Sequence, residues 1–168
     1  MWKEIAQNEG KKFEQDFANS VNKDKYWLYR FRDNAASFSG GTNTRFASSN
    51  ICDYLLFDND TRTLYLLELK STKSSSISYT MIRDNQIKEL TEASKYNLIA
   101  GFIFNYREKN NATYFMLMDD FNEMTSKIDK KSFNISDVEK YGAIKIDNEK
   151  KRTRYKYDID SFVNESHL

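Results

Sequence analysis

Two short apolar segments constrain the fold of this chain most strongly. They are ICDYLLF at 51–57 and TLYLLELK at 63–70, and the residues DNDTR between them have the composition of a turn. Two β-prone segments joined by such a turn predict a β-hairpin. Both segments carry apolar side chains on both faces, which predicts a central position in a sheet that is covered on each side.

The remaining periodicity predicts helices and further strands around this hairpin. Apolar residues recur at helical spacing in 2–21 and 81–97, which predicts two amphipathic helices. Polar, aperiodic residues at 33–50 and 71–80 predict loops. Aromatic and β-branched segments predict further strands, and a capping-box pattern predicts a short helix. The strands are expected at 26–31, 98–108, 112–118 and 143–147, and the helix at 137–141.

Composition favours one domain with limited chemistry. The 168 residues are 39% hydrophobic and contain no proline and five glycines, so we expect a single α/β domain over residues 1–168. One cysteine, Cys52, and one histidine, His167, exclude the usual zinc sites. The chain shows no signal peptide and no run of about 18 apolar residues, so we expect a soluble cytoplasmic protein with no membrane partner.

One register of the hairpin brings charged residues together. If Phe57 pairs with Leu64, Asp53 lies opposite Glu68. Directly opposed residues share a face, with Cβ atoms about 4.5–5.5 Å apart, and like charges there are destabilising. Side chains alternate along a strand, so Lys70 lies on the same face. We therefore expect two carboxylates and a lysine at the end of an apolar strand.

This cluster has two interpretations. Carboxylates without sulfur or imidazole suit a hard cation such as Mg²⁺, and a nearby lysine stabilises negative charge that develops on phosphorus. Phosphodiester hydrolysis fits this equipment. Alternatively, Lys70 neutralises Glu68 in a salt-bridged strand end, and Asp53 merely ends the apolar segment.

The spacing of these residues resembles that of a nuclease family. Asp53-Tyr-x13-Glu68-Leu-Lys70, followed by Ser-Thr-Lys and then by Gln86 eighteen residues after the glutamate, is similar to the core of the PD-(D/E)XK nucleases, and specifically to the RecU family of Holliday-junction resolvases. The segment NEGKKFEQDFANS around Glu14 is similar to the first helix of that family. Later segments resemble it too, and the likeness covers roughly residues 8–160.

The resemblance implies a fold, an activity and a cofactor. The fold is α/β and restriction-endonuclease-like, with a mixed central sheet flanked by helices. The activity is that of a Mg²⁺-dependent endonuclease, with Mn²⁺ as a substitute. The resemblance implies a homodimer that nicks opposing strands of four-way DNA junctions in recombination and repair.

The resemblance also implies residue roles. Asp53 and Glu68 correspond to metal ligands, and Gln86 to an additional metal-site residue. Lys70 corresponds to the transition-state stabiliser or water activator, and Glu14 to a further acid of the catalytic site. The alternatives are a solvated charge for Glu14 and an ordinary exposed helix residue for Gln86.

The chain departs from the family at three places. Ile51 stands where the family often has a hydroxyl residue, and Cys52 replaces the proline of the motif. The long basic stalk of the family is replaced by a shortened loop at 35–50, whose single charge is Arg45.

DNA contact must be local, because the net charge is only +1. Residues 148–168 are expected to form a basic C-terminal tail, although a solvated, lysine-rich strand edge is the alternative. The predicted DNA-binding residues are Arg30, Arg32, Arg45, Lys73, Lys151, Arg152 and Arg154.

Two other functions remain open. One is a PD-(D/E)XK nuclease with another substrate, such as a restriction-type or branched-DNA trimming enzyme. The other is a non-catalytic DNA-binding module in which the charged cluster is structural.

Overall fold

The described part of the chain contains five α-helices and ten β-strands. The computed structural model describes residues 2–32 and 50–167, with side chains from residue 9 onward. The helices are α1 (Trp2–Ser20), α2 (Asp84–Ser94), α3 (Met118–Lys127), α4 (Ile135–Lys140) and α5 (Ile159–Ser166). The strands are β1 (Tyr26–Arg30), β2 (Tyr54–Asp58), β3 (Thr63–Thr72), β4 (Ser76–Ser78), β5 (Ile99–Tyr106), β6 (Ala112–Leu117), β7 (Ser132–Asn134), β8 (Ile144–Lys145), β9 (Asn148–Lys151) and β10 (Arg154–Tyr157).

Within the described residues, six strands form one mixed sheet in the order β1-β2-β3-β5-β6-β8. β3 and β5 are parallel, and the other neighbours are antiparallel. The β2–β3 hairpin has the predicted register, with Phe57 opposite Leu64. The expected mixed central sheet flanked by helices is therefore confirmed.

Alternation along β3 fills two hydrophobic cores. Tyr65, Leu67 and Leu69 belong to the core that α1 and α5 cover. Leu66 belongs to the core on the other face, which α2 and α3 cover. Because both faces are covered, the middle of β3 is buried, as its apolar pattern predicts.

Some local predictions are wrong. The segment 71–80, predicted as a loop, contains β4, which pairs with β7 and buries Ile77 completely. This pairing joins segments far apart in the sequence, and hydroxyl-rich residues give no local sign of it. The second helix begins at Asp84 rather than at 81, after a 3-10 turn at Tyr79–Met81.

Two short helices also differ from the expectation. Helix α3 lies in a segment for which the sequence pattern predicted no element, because its polar residues obscure the buried stripe. Helix α4 begins earlier than predicted. Its N-cap is Asn134, whose side chain accepts the Asp137 N–H, while the Asp137 carboxylate accepts the Asn134 N–H.

The predicted basic tail at 148–168 is not a tail over its described part. It forms the β9–β10 hairpin and α5. Phe162 is fully buried, with its ring 4.8 Å from that of Phe115 and 5.8 Å from that of Tyr65. The basic residues lie in the hairpin, whereas the buried residues of α5 join the core.

Some expectations fall outside the described residues. Arg45 and positions 35–49 of the predicted shortened loop are among them. In the parts of the chain that the structure does describe, no helix combines the length and the apolar character needed to cross a membrane.

The packing of α5 generates a stability prediction. We expect Phe162→Ala to lower the free energy of unfolding by about 3–5 kcal/mol, because it empties a fully buried aromatic site. Asn164→Ala, at an exposed position of the same helix, should change it by less than about 0.5 kcal/mol. Urea denaturation followed by circular dichroism measures both values. Equal stability of the two variants would show that α5 does not belong to the core.

Candidate active site

Asp53 lies at the start of β2, beside the middle of β3. It directly precedes the strand, and its N–H donates to the Leu67 carbonyl at 3.1 Å. The backbone pairing therefore continues to Asp53 in the register that the sequence predicts. One contact was not foreseen, because the Asp53 carboxylate accepts the Leu69 N–H at 2.7 Å.

Burial and a neighbouring charge make ionisation of Asp53 difficult. Removal from water raises the pKa of Asp53 to about 7, and the negative charge of Glu68 adds to the effect. The hydrogen bond from Leu69 and the positive charge of Lys70 oppose this shift. Burial therefore favours the protonated form of Asp53 more than water favours that of an exposed carboxyl group.

Glu68 is the most enclosed acid of the site, with 2% of its surface exposed. Its Oε1 accepts hydrogen bonds from Lys70 Nζ at 2.7 Å and from Gln86 Nε2 at 2.6 Å. Its Oε2 is buried and has no hydrogen-bond partner among the described residues. Burial raises the pKa of Glu68, while Lys70 and Gln86 oppose the shift.

Gln86 reaches this site from the first turn of α2. Its Oε1 accepts the Arg83 N–H at 3.2 Å, so the amide nitrogen is the atom that faces Glu68. The opposite orientation would place an amide oxygen against a carboxylate oxygen, without a proton between them. Gln86 thus caps the helix and holds the carboxylate of Glu68 at the same time.

Glu14 approaches from α1. Its carboxylate pairs with Arg30 at 2.9 Å, and its backbone carbonyl accepts the Tyr54 hydroxyl at 3.2 Å. The charge of Glu14 contributes to the raised pKa of both Asp53 and Glu68.

Within residues 2–32 and 50–167, no three acidic, cysteine or histidine side chains are grouped closely enough to hold one metal ion.

The chemistry of the site fits a hard divalent cation. The carboxylates of Asp53 and Glu68 offer oxygen ligands, which Mg²⁺ prefers. Glu68 Oε2 is a buried oxygen that lacks a donor from the described chain, a situation that costs free energy unless a ligand supplies positive charge. The site is therefore suited to one cation with two protein carboxylates, while Gln86 supports Glu68.

Cys52 takes no part in this chemistry. Its side chain is 2% exposed, and burial, together with the charges of Glu68 and Asp53, raises the pKa of the thiol to about 12. A neutral, buried thiol is a poor nucleophile and behaves as a small apolar side chain. Cys52 thus packs as a small apolar side chain directly before Asp53.

Three of the predicted DNA-binding residues with described positions form ion pairs. Arg30 pairs with Glu14, Lys73 with Glu108 at 3.5 Å, and Lys151 with Glu149 at 2.6 Å.

Three more of these residues have described positions. Arg154 is the most strongly held, because its side chain donates to Asp16 and to Gln15. Arg32 and Arg152 are exposed, and Arg152 lies in the turn between β9 and β10.

Comparison with known proteins places the chain in a family. No protein-family profile matches it. A relative that matches is the SPbeta prophage-derived uncharacterized protein YotM of Bacillus subtilis (strain 168), with 34% identity over 95% of this chain and 87% of that protein. The chain belongs to the YotM family. The match extends over nearly all of both chains, so this chain and YotM share the whole domain rather than one motif.

A solved structure with a similar fold is Hjc of Archaeoglobus fulgidus, a Holliday junction resolvase from an archaeal hyperthermophile. The TM-score is 0.53, the identity is 16%, and the match covers 81% of this chain and 95% of Hjc. At this identity the likeness establishes the fold alone. This chain, a member of the YotM family, therefore has a mixed α/β fold similar to that of Hjc.

The raised pKa of Asp53 generates a pH-dependent prediction. Between the unfolded pKa of about 3.9 and the folded value of about 7, the folded state binds more protons, so stability falls as pH rises through this window. Without divalent cations, we expect Asp53→Asn to be more stable than the parent at pH 8 by about 1–3 kcal/mol. The difference should vanish near pH 4.

Urea denaturation at several pH values measures this effect. Asp60→Asn, at an exposed position of the β2–β3 turn, is the matched control and should retain the pH dependence of the parent. If Asp53→Asn retained it too, Asp53 would not be the group responsible.

Proposed function

We propose that the protein is a Mg²⁺-dependent DNA endonuclease of the PD-(D/E)XK type that resolves four-way junctions. The observation that carries the proposal is the convergence of Asp53, Glu68 and Lys70 at the C-terminal half of β3. The resemblance of these residues to the RecU motif supports it. The fold shared with a Holliday junction resolvase agrees with a restriction-endonuclease-like architecture.

The acids and the lysine have distinct tasks in this proposal. Asp53 and Glu68 would hold Mg²⁺, or Mn²⁺ as a substitute, which when bound supplies Lewis-acid stabilisation of charge on the phosphate. Lys70 presents an ammonium group beside Glu68, where it stabilises negative charge on the phosphorus centre and orients the attacking water. Gln86 positions Glu68, and Glu14 with Arg30 sets the charge at the edge of the site.

The proposed substrate requires paired action. Resolution of a four-way junction needs two nicks in opposing strands, so a homodimer with two equivalent sites is the expected assembly. Exposed basic residues such as Arg32, Arg152 and Lys73 would contact the DNA backbone, since sequence-independent DNA affinity comes from phosphate neutralisation. The expected location is the cytoplasm.

A cleavage assay tests the proposal. A labelled synthetic four-way junction should be nicked symmetrically with Mg²⁺, and EDTA should abolish nicking. Linear duplex DNA of the same sequence should remain uncut. Equal cleavage of the linear duplex would indicate another nuclease of this type, whereas binding of the junction without any cleavage would indicate a non-catalytic DNA-binding protein.

Substitution of Lys70 tests the site itself. We expect Lys70→Met to lower kcat by about 10²–10³-fold, because one well-placed donor to the transition state is removed. Junction affinity measured with Ca²⁺ in place of Mg²⁺ should stay near that of the parent. Lys127→Met, at an exposed position of α3, is the control and should retain full activity. Cleavage at the parental rate by both Lys70→Met and Glu68→Gln would show that the active site lies elsewhere.

A further inference from the structure

A cavity of about 350 Å³ lies between α1, the end of β5 and the β9–β10 hairpin. It is close to the candidate active site along β3, because Ser71 pairs with Asn105, which lines the cavity, and Ser71 directly follows Lys70. Successive side chains of a strand point to opposite faces. The cavity and the active site therefore lie at the same end of β3, on its two faces.

The cavity carries an excess of positive charge. Four cations from three separate parts of the chain line it: Lys12, Arg107, Lys150 and Arg152. None of the four forms an ion pair with a described residue. A cleft lined mainly by one sign of charge attracts ions of the opposite sign.

The acids that line the cavity do not cancel this charge. They are Glu9 and Asp16. Asp16 is already engaged, because it accepts hydrogen bonds from the Arg154 side chain and from the Tyr155 N–H at 3.1 Å. Among the described residues, Glu9 is thus the one acid of the cavity that is not already bound to Arg154 and Tyr155, and four cations line the cavity with it.

Arg107 is held in place by a buried polar network. Its guanidinium donates to Ser71 Oγ at 2.9 Å, and Ser71 Oγ donates to Asn105 Oδ1 at 2.8 Å. The amide nitrogen of Asn105 donates in turn to Asn111 and to Thr113. Asn105 and Thr113 are fully buried, so the anchor of Arg107 is rigid. A fixed guanidinium suits phosphate, because its parallel N–H groups match two phosphate oxygens.

We infer that this cavity binds a phosphate group of the DNA backbone, outside the bond that is cleaved. This inference rests on the proposed function in one respect, which is that the phosphate belongs to DNA. The phosphate-binding character of the cavity rests on its own residues. A DNA strand that passes over this end of the sheet places one phosphate at Lys70 and another at Arg107 on the opposite face. The cavity thus holds the strand while the active site acts on it.

Salt-dependent DNA binding tests the cavity. The full-length protein is titrated into a labelled four-way junction with Ca²⁺ at several salt concentrations, and fluorescence anisotropy gives the association constant. Arg107→Gln and Arg152→Gln should each make the negative slope of log K against log salt shallower by about 1, and should lower the affinity by about tenfold. Lys127→Gln, outside the cavity, should change neither quantity. Arg152 is exposed and lies outside the buried network, so its substitution leaves the fold intact.

The outcomes separate the cavity from the nuclease. Parental slopes and affinities for both arginine variants would overturn the inference, even if the protein cleaved junctions. Shallower slopes for the two arginine variants of a protein that cleaves no DNA would support the phosphate site and refute the proposed nuclease. A parallel thermal-shift titration measures stabilisation by inorganic phosphate in the parent and in Arg107→Gln. If this stabilisation is lost in Arg107→Gln while DNA binding by that variant is unchanged, the cavity takes free phosphate and its role on DNA is overturned.

Discussion

Burial of Glu68 is the constraint on which the rest of the site depends. β3 has paired neighbours on both edges and a hydrophobic core on both faces, so a carboxylate at its centre loses nearly all contact with water. A buried charge is tolerated only where donors or cations reach it. Lys70 and Gln86 satisfy one oxygen of Glu68, whereas its second oxygen has no such partner among the described residues. The site is thus electrostatically incomplete.

Stability and chemistry make opposite demands on this part of the fold. The apolar surroundings of β3 stabilise the sheet, but they also raise the pKa of Asp53 and bring two acids into a weakly solvated space. Folded proteins retain such unfavourable arrangements chiefly where function requires them. The helix caps contribute as well, because the amide group that closes the first turn of α2 also fixes Glu68.

The sequence predicts the parts of this structure that depend on local pattern. Period-two alternation and one turn suffice to give the β2–β3 register and hence the meeting of Asp53, Glu68 and Lys70. Contacts between distant segments escape such reasoning. The β4–β7 pairing, the burial of α5 and the partners of Arg154 all depend on residues far away in the chain. The direction of the Gln86 amide also depends on a tertiary contact, so spacing alone does not predict it.

The contacts between the β9–β10 hairpin and α1 have a consequence for synthesis of the protein. Asp16 binds Arg154 and Tyr155, and Ser20 accepts the Tyr157 N–H at 2.9 Å, so the helix that carries Glu14 is fixed by residues made much later. Chains emerge from the ribosome with the N-terminal part first. Until residues 154–157 have been made, α1 lacks these contacts, although Arg30 and Tyr54 already contact Glu14. A nascent chain of this kind therefore cannot fix α1 through these contacts until residues 154–157 have left the ribosome.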